Sequence, residues 1–460
     1  MRYNQLILML FVLFTFSIGY SQTKELSKEE VLKDLDTLKT LLEKSHYNLY
    51  AYTPKKEFDL NFDEVKNSVE KDSISFKDAV GIFQKVISKA NTGHAEIDYP
   101  AKSYIDFVQK GGRIFPLEIA LEDDKAYIRK NYSGNQDIRS GSEVLEINNA
   151  KIDDILKLIY PHISAERPYL KKAKIELWSF PRLYWQIFGE EENFSALIKE
   201  NDQIKEYRLQ AVAALEDYEY KRKDILSSNR RVKFYGNTAY LNPGNFSGDE
   251  EDYQKFIDSA FAFIKEKSSK DLIIDLRNNA GGNNSFSDYL ISYFAHKPFR
   301  WNSSFTLKTS KYLKQNTRLN NDTTKVYFQE ILKQPNGEIF SYHFEAMEPQ
   351  APGKRFNEKV YVLINRQTYS QAAVAAGLIQ DYQFATLVGE ETGDFPSLYA
   401  SLFTFYLPNT KIPVKVPKGY MVRVNKSKKP EGVKPEITIK DHLLDDKDEI
   451  LESLLQRLDS

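Results

Sequence analysis

Apolar residues at helical spacing dominate the start of the chain. Ser27-Lys-Glu-Glu30 reads as a capping box, and Val31, Leu35, Leu38 and Leu42 follow on one helical face. Phe58, Phe62, Val65 and Val69 mark a second helix. A third starts at Ser75, with Asp78 three residues on, and carries Phe76, Val80, Phe83 and Ile87. Together they predict a helical domain over residues 25–100. The period then changes. Residues 114–121 and 126–129 read as strands, and residues 141–158 as turn, strand and helix. Residues 160–200 form a helical, aromatic-rich insertion with Trp178, Tyr184, Trp185 and Phe188. From residue 238 strand and helix alternate: a strand, a helix through Tyr253, Phe256, Ile257, Ala260 and Ile264, a strand from Asp271, a glycine turn, and a helix over 286–294. Such alternation predicts a sheet with crossover helices. Residues 297–358 are polar and irregular and read as a surface insertion near the site. The pattern resumes with the apolar run Val360-Tyr-Val-Leu-Ile364, an Ala-rich helix, strands over 386–389 and 402–407, and a closing amphipathic helix over 445–458.

Composition fits ordinary folded cores: of 460 residues, 41% are hydrophobic and 28% charged, which predicts two to four domains and no extended disorder. The net charge of −1 and the lack of a strongly basic stretch disfavour a nucleic-acid partner. The first residues add a destination. Residues 6–18 are thirteen mostly apolar residues behind one positive charge, too short to span a bilayer comfortably. Small residues at Gly19-Tyr-Ser21 predict cleavage of a signal peptide over 1–21. The chain holds no cysteine, so it has neither a disulfide framework nor the residue that lipoprotein anchoring needs. The expectation is an exported protein, periplasmic or secreted, with no stable membrane insertion after cleavage.

Two junctions carry the candidate chemistry. Asn365-Arg-Gln-Thr-Tyr-Ser370-Gln-Ala372 lies between the Val360 strand and the Ala-rich helix, so Ser370 feels the positive end of the helix dipole. Taken alone, such a serine reads as a helix N-cap. Asp271-Leu-Ile-Ile-Asp-Leu-Arg-Asn-Asn-Ala-Gly-Gly282 is likewise a strand running into a glycine turn. Two neighbouring strands that end this way place a nucleophile beside backbone N–H donors, the pairing that acyl transfer needs. No two histidines sit at metal-ligand spacing, so neither a metal nor another cofactor is expected.

These stretches resemble the C-terminal-processing (tail-specific) serine peptidases. The family's Asp-Leu-Arg-x-Asn-x-Gly-Gly stands here at Asp275–Gly282, and its Asn-x-x-Thr-x-Ser-x-Ala at Asn365–Ala372. Val388-Gly389-Glu390-Glu391-Thr392-Gly393 and Gly432-Val433-Lys434-Pro435-Glu436 follow in family order. The resemblance implies an α/β (α+β) fold: a crotonase/ClpP-like protease core over 230–460, behind the helical domain and a degenerate PDZ-like domain over 108–215. In that module Ser142 replaces the usual Asp, and no clear carboxylate-binding loop is present, so it reads as a peptide-docking element or a scaffold.

The resemblance also implies roles. Ser370 is the nucleophile, and Gly281 or Gly282 with Gln371 supplies the oxyanion hole. His94, in the loop Asn91-Thr-Gly-His94, is the general base of the tricorn-like branch. The other branch uses a Lys soon after the Ser, and no Lys occurs between Ser370 and Lys411. Where tricorn has a Ser before the His this chain has Gly93, so another group must orient the imidazole. Glu431 is the candidate for that carboxylate, while Asp275 and Arg277 read as structural. The expected activity is an exported serine endopeptidase acting on peptide or protein substrates. The rivals are a catalytically silent binder of peptides or apolar ligands on the same scaffold, and a peptide adaptor with an inactive core.

Overall fold

The computed structural model describes residues 25–222, 229–441 and 447–459. The expected signal peptide and His442 lie outside them. The capping box forms as the spacing predicts: Ser27 Oγ accepts the Glu30 N–H at 3.2 Å and Glu30 Oε2 accepts the Ser27 N–H at 2.9 Å, starting α1 (Lys28–Ser45). Then come α2 (Lys55–Asn67), α3 (Phe76–Ile87) and α4 (Ala101–Gln109).

The middle module is an antiparallel sheet in the order β1 (Leu117–Glu122), β2 (Lys125–Asn131), β3 (Glu143–Ile147), β4 (Asn193–Glu200), β5 (Gln203–Gln210), with Ala150–Lys151 added beside β3. Between β3 and β4 run α5 (Ile152–Ile159), α6 (Pro168–Trp178) and α7 (Phe180–Phe188). Helices α6 and α7 are the aromatic insertion, but the stretch expected to be helical over 160–200 ends in strand β4. Phe180, Leu183 and Tyr184 join the sheet's own core. Edge strand β1 is partly capped by α6, because Glu176 Oε1 accepts the Leu121 N–H at 2.8 Å.

The second half contributes β6 (Arg231–Tyr235), β7 (Thr238–Asn242), α8 (Glu250–Glu266), β8 (Asp271–Asp275) and α9 (Asn284–Ser292). After these come β9 (Ser304–Lys308), α10 (Lys311–Asn320), α11 (Val326–Lys333), β10 (Ile339–Ser341), β11 (Lys359–Ile364) and α12 (Gln371–Tyr382). The chain ends with β12 (Thr386–Gly389), β13 (Leu398–Tyr406), β14 (Pro413–Val422), β15 (Ile437–Thr438) and α13 (Glu449–Asp459). The central sheet runs β6-β7-β8-β11-β12-β15, parallel throughout except for β6. Its side chains alternate between two buried faces. Leu272, Ile274, Val362 and Ile364 meet α8, α9 and α12, while Ile273, Leu363 and Val388 meet Ile450, Leu451 and Leu454 of α13. A sheet buried on both faces is why these strands read as continuous apolar runs.

Residues 297–358, read from their polarity as irregular, hold β9, β10, α10 and α11. Strands β9 and β10 join β13 and β14 in a four-stranded antiparallel sheet. That sheet shares one core with α1, α2 and α3, so the N-terminal helices are packed onto the second half of the chain. This packing carries the His94 loop to the carboxyl ends of the central strands, where open α/β sheets place their sites.

Candidate active site

Asp275 pairs with Leu363 across β8 and β11, so the two strands end side by side. The motif residues lace these ends together. The Asn365 N–H goes to Thr368 Oγ1 at 3.0 Å, Thr368 Oγ1 donates to Leu276 O at 2.9 Å, and the Tyr369 N–H goes to Asn279 O at 3.0 Å. Asn365 also exchanges two bonds with Asn278, at 3.0 and 3.1 Å. Asp275 and Arg277 are structural: Arg277 Nη2 lies 2.7 Å from Asp275 Oδ2, and Tyr240 Oη donates to the same oxygen at 2.6 Å.

Ser370 ends this loop at φ 52°, ψ −127°, a backbone region costly for any residue but glycine. It makes no N-cap hydrogen bond, which corrects the reading of a lone serine at a helix start. Its Oγ lies 3.0 Å from His94 Nε2, and its N–H donates to Asp394 Oδ2 at 2.9 Å. The glycine turn packs directly against it. A Cβ on Gly281 would fall 2.6 Å from Gln371 N and 2.7 Å from Ser370 Cβ; one on Gly282 would strike Phe246 O at 1.9 Å. The Gly281 N–H is already spent on Asn279 Oδ1 at 2.8 Å. Among the described residues the N–H groups of Gly282 and Gln371 have no partner, which leaves them as the turn's free donors.

His94 arrives from the loop after α3, where Asn91 adopts φ 50° and bonds Thr53 Oγ1 at 2.9 Å. The ring is 3% exposed and stacks on Tyr369, with centroids 4.9 Å apart and planes 10° apart. Tyr369 Oη donates to Gly93 O at 2.9 Å. Lys174 Nζ, from α6, lies 4.8 Å over the Tyr369 ring and donates to Gly93 O and Ser164 O, each at 2.9 Å. Burial, and then the Lys174 charge, push the His94 pKa down to about 3, so the imidazole is neutral at pH 7. Among the described residues its Nδ1 has no hydrogen-bond partner.

The carboxylate nearest the imidazole is Asp394, whose Oδ2 lies 3.8 Å from Nε2. Burial, and then the charge of Glu166, raise Asp394 to about 8. Glu166 Oε1 accepts the Gly93 N–H at 2.6 Å, and burial raises its pKa as well. Glu431, the expected orienting carboxylate, is not brought to His94. The Gly432 N–H is tied to Glu391 Oε1 and the Val433 N–H to Thr392 Oγ1, each at 2.8 Å, and Glu431 projects outward to Lys434 at 3.0 Å. The structure thus gathers Ser370, His94, Gly281, Gly282 and Gln371 and leaves Glu431 outside. Sequence reasoning missed Asp394, which adjoins the Val388–Gly393 match, and Glu166, Lys174 and Tyr369, for which no motif gave a signal. His46 and His162 are buried elsewhere, on the Asn48 N–H at 3.1 Å and Gln84 Oε1 at 3.2 Å.

The model of peptidase family S41 matches residues 237–439, a span that includes Ser370, the glycine turn and Asp394 but not His94. The fold is similar to that of mature CPAF, with 14% identity over 94% of this chain and 96% of that one and a TM-score of 0.63. Mature CPAF complexed with lactacystin gives 15% identity, 94% and 97% coverage and a TM-score of 0.62. The photosystem II D1 C-terminal processing protease gives 12%, 94%, 97% and 0.47. No curated protein matches the chain.

Proposed function

Residues 237–439 belong to peptidase family S41, a family of serine-type peptidases, and from that premise we propose an exported endopeptidase of the tricorn-like branch with Ser370 as nucleophile and His94 as base. The observation that carries the reading is the 3.0 Å contact between Ser370 Oγ and His94 Nε2. Ser370 Oγ attacks the scissile carbonyl carbon while Nε2 takes its proton, and the imidazolium returns that proton to the leaving amine. For Nε2 to accept, the neutral ring carries its proton on Nδ1. The N–H groups of Gly282 and Gln371 receive the oxyanion, and Gly281 lets the turn approach the nucleophile this closely. Asp394 takes the place first expected of Glu431. It holds the Ser370 N–H beside the imidazole, with Oδ2 3.8 Å from Nε2. Tyr369 orients the ring by stacking.

Water then resolves the acyl-enzyme by the same steps, so no cofactor takes part. Export rests on the apolar run over residues 6–18, and among the described residues no helix is long and apolar enough to cross a membrane. The same reading keeps four units: a signal peptide over 1–21, a helical domain over 25–100, a PDZ-like module over 108–215 and a catalytic core over 230–460. Labelling with a fluorophosphonate probe tests the pair. The wild-type chain should label, and Ser370→Ala and His94→Ala should not. A well-folded wild type that resists the probe would move the reading to the ligand-binding rival.

A further inference from the structure

We infer that His94, Glu166 and Asp394 form a binding site for one Zn²⁺ ion, and that the bound ion holds Ser370 inactive. One donor atom from each of the three residues lies within 4.8 Å of the other two. The ligands come from three distant segments, so their spacing along the chain carries no metal signature. Two of them, His94 and Asp394, are 3% and 1% exposed. Among the described residues no Lys or Arg forms an ion pair with either carboxylate. The nearby Lys174 head is engaged by Gly93 O, Ser164 O and Glu96. Glu166 Oε2 is buried with no hydrogen-bond partner, an arrangement that costs free energy until a cation meets it.

The donor set selects the ion. One imidazole and two carboxylates suit tetrahedral Zn²⁺, whereas Mg²⁺ asks for octahedral oxygen and keeps its waters. Ligands about 2.1 Å from a tetrahedral centre stand roughly 3.4 Å apart. His94 Nε2 and Asp394 Oδ2, at 3.8 Å, are already close to that spacing, and rotation of the Glu166 side chain supplies the remainder. Nε2 has a single lone pair, so a nitrogen bound to the ion cannot take the Ser370 proton. Metal binding needs only the geometry; the block on Ser370 rests on the roles proposed for Ser370 and His94.

The test is titration of the purified chain, without a histidine tag, with Zn²⁺ against a chromophoric chelator, for wild type, Glu166→Gln, Asp394→Asn and Ser370→Ala. Wild type and Ser370→Ala should each bind one equivalent that excess Mg²⁺ does not displace. Glu166→Gln and Asp394→Asn should bind at least about tenfold more weakly, since even outer-shell losses cost that much. Zn²⁺ should slow fluorophosphonate labelling of wild type, and chelation should restore it. Should Asp394→Asn misfold, Glu166→Gln decides, because an amide oxygen in place of Oε1 still accepts the Gly93 N–H. Equal Zn²⁺ affinity in folded wild type and Glu166→Gln overturns the site, as does no competable binding by wild type. Labelling without Zn²⁺ binding removes this inference alone, and Zn²⁺ binding without labelling removes the hydrolase reading alone.

Discussion

Ser370 and His94 meet at 3.0 Å, yet the two sides of that contact are held in different ways. The nucleophile side is built from backbone. Two parallel strands end in register, Asn365 and Thr368 bind main-chain groups of the neighbouring strand end, and Gly281 sits where a side chain would strike Ser370 itself. The base side is built from side chains of distant segments: Glu166 and Lys174 from the middle module, and Tyr369 from the nucleophile loop. A backbone-built site is set as soon as its sheet forms. A side-chain-built site is set only when the modules dock, so it is the half more open to control.

The largest effect should come from the nucleophile. Ser370→Ala should lower peptide hydrolysis by at least about 10⁴-fold, as removal of a serine nucleophile does. It should not relieve the backbone, because alanine tolerates φ 52° no better than serine. Ser370→Gly should be equally inactive but more stable than Ser370→Ala by about 1 kcal/mol. Equal denaturation midpoints for the two variants would break the claim that strain is stored here.

A matched pair of glycines compares the sides directly. Gly281→Ala drives a methyl to 2.6 Å from a backbone nitrogen at φ 82°, and nothing there can yield without moving the oxyanion donors. Labelling should fall by more than about a hundredfold. Gly93→Ala meets Glu166 Oε2 at 2.7 Å, the far end of a flexible side chain. A shift of a few tenths of an ångström should cost less than about tenfold, given that 1 Å of misplacement costs about a hundredfold. Labelling rates for the two variants, side by side, rank the halves by stiffness.

Lys174→Met probes the docking itself. It takes the Lys174 donor from Ser164 O, leaves Gly93 O with Tyr369 Oη, and removes one cation from Glu96, which keeps Lys415 at 3.4 Å. Breaking such a pair should cost about 3 kcal/mol in denaturant unfolding. Labelling should slow by roughly tenfold through loss of the stacked imidazole geometry, with Lys174→Arg restoring part of it. An unchanged labelling rate in folded Lys174→Met would mean that the middle module does not hold the base.

This division also explains what the sequence could show. Asn365, Thr368 and Gly281 act on neighbours fixed by the strands they end, so their spacing is a readable motif. The capping box of α1 is readable for the same reason. Lys174 and Glu166 act across more than seventy residues, on a loop that their own segments never signal. Glu431 had a motif position but not a motif geometry, because Glu391 and Thr392 fix its neighbours' backbone and leave its side chain facing Lys434. Residues 297–358 looked irregular because α10 buries only Leu313 and Thr317, too few to reveal a period. Its place in the fold comes from sharing a core with α1–α3, a contact no local pattern encodes.

The smallest effect should be a pH dependence of opposite sign on the two sides. His46, His94 and His162, all on the side of the N-terminal helices, are held neutral by burial, each at about 3. The unfolded chain binds these protons near pH 6.5 while the folded chain does not. Their contribution is therefore intact above about pH 6.5 and is lost as pH falls toward 3. On the nucleophile side, burial raises Asp288 and Glu390 to about 7 and Asp394 to about 8. Those groups are proton-bound when folded and ionised when unfolded, so their contribution is full below about pH 4 and is lost as pH rises through 7 to 8. Amide hydrogen exchange at pH 5 and pH 8.5 should read the split. Protection should fall first around α3 and the His94 loop in acid, and first around α9 and residues 390–394 in alkali. His162→Gln, which removes one buried imidazole that bonds Gln84, should flatten the acid limb and leave the alkaline one unchanged. A uniform change across both sides would mean that the two halves unfold as one unit, and the distinction between a backbone-built and a side-chain-built half would then hold for geometry but not for stability.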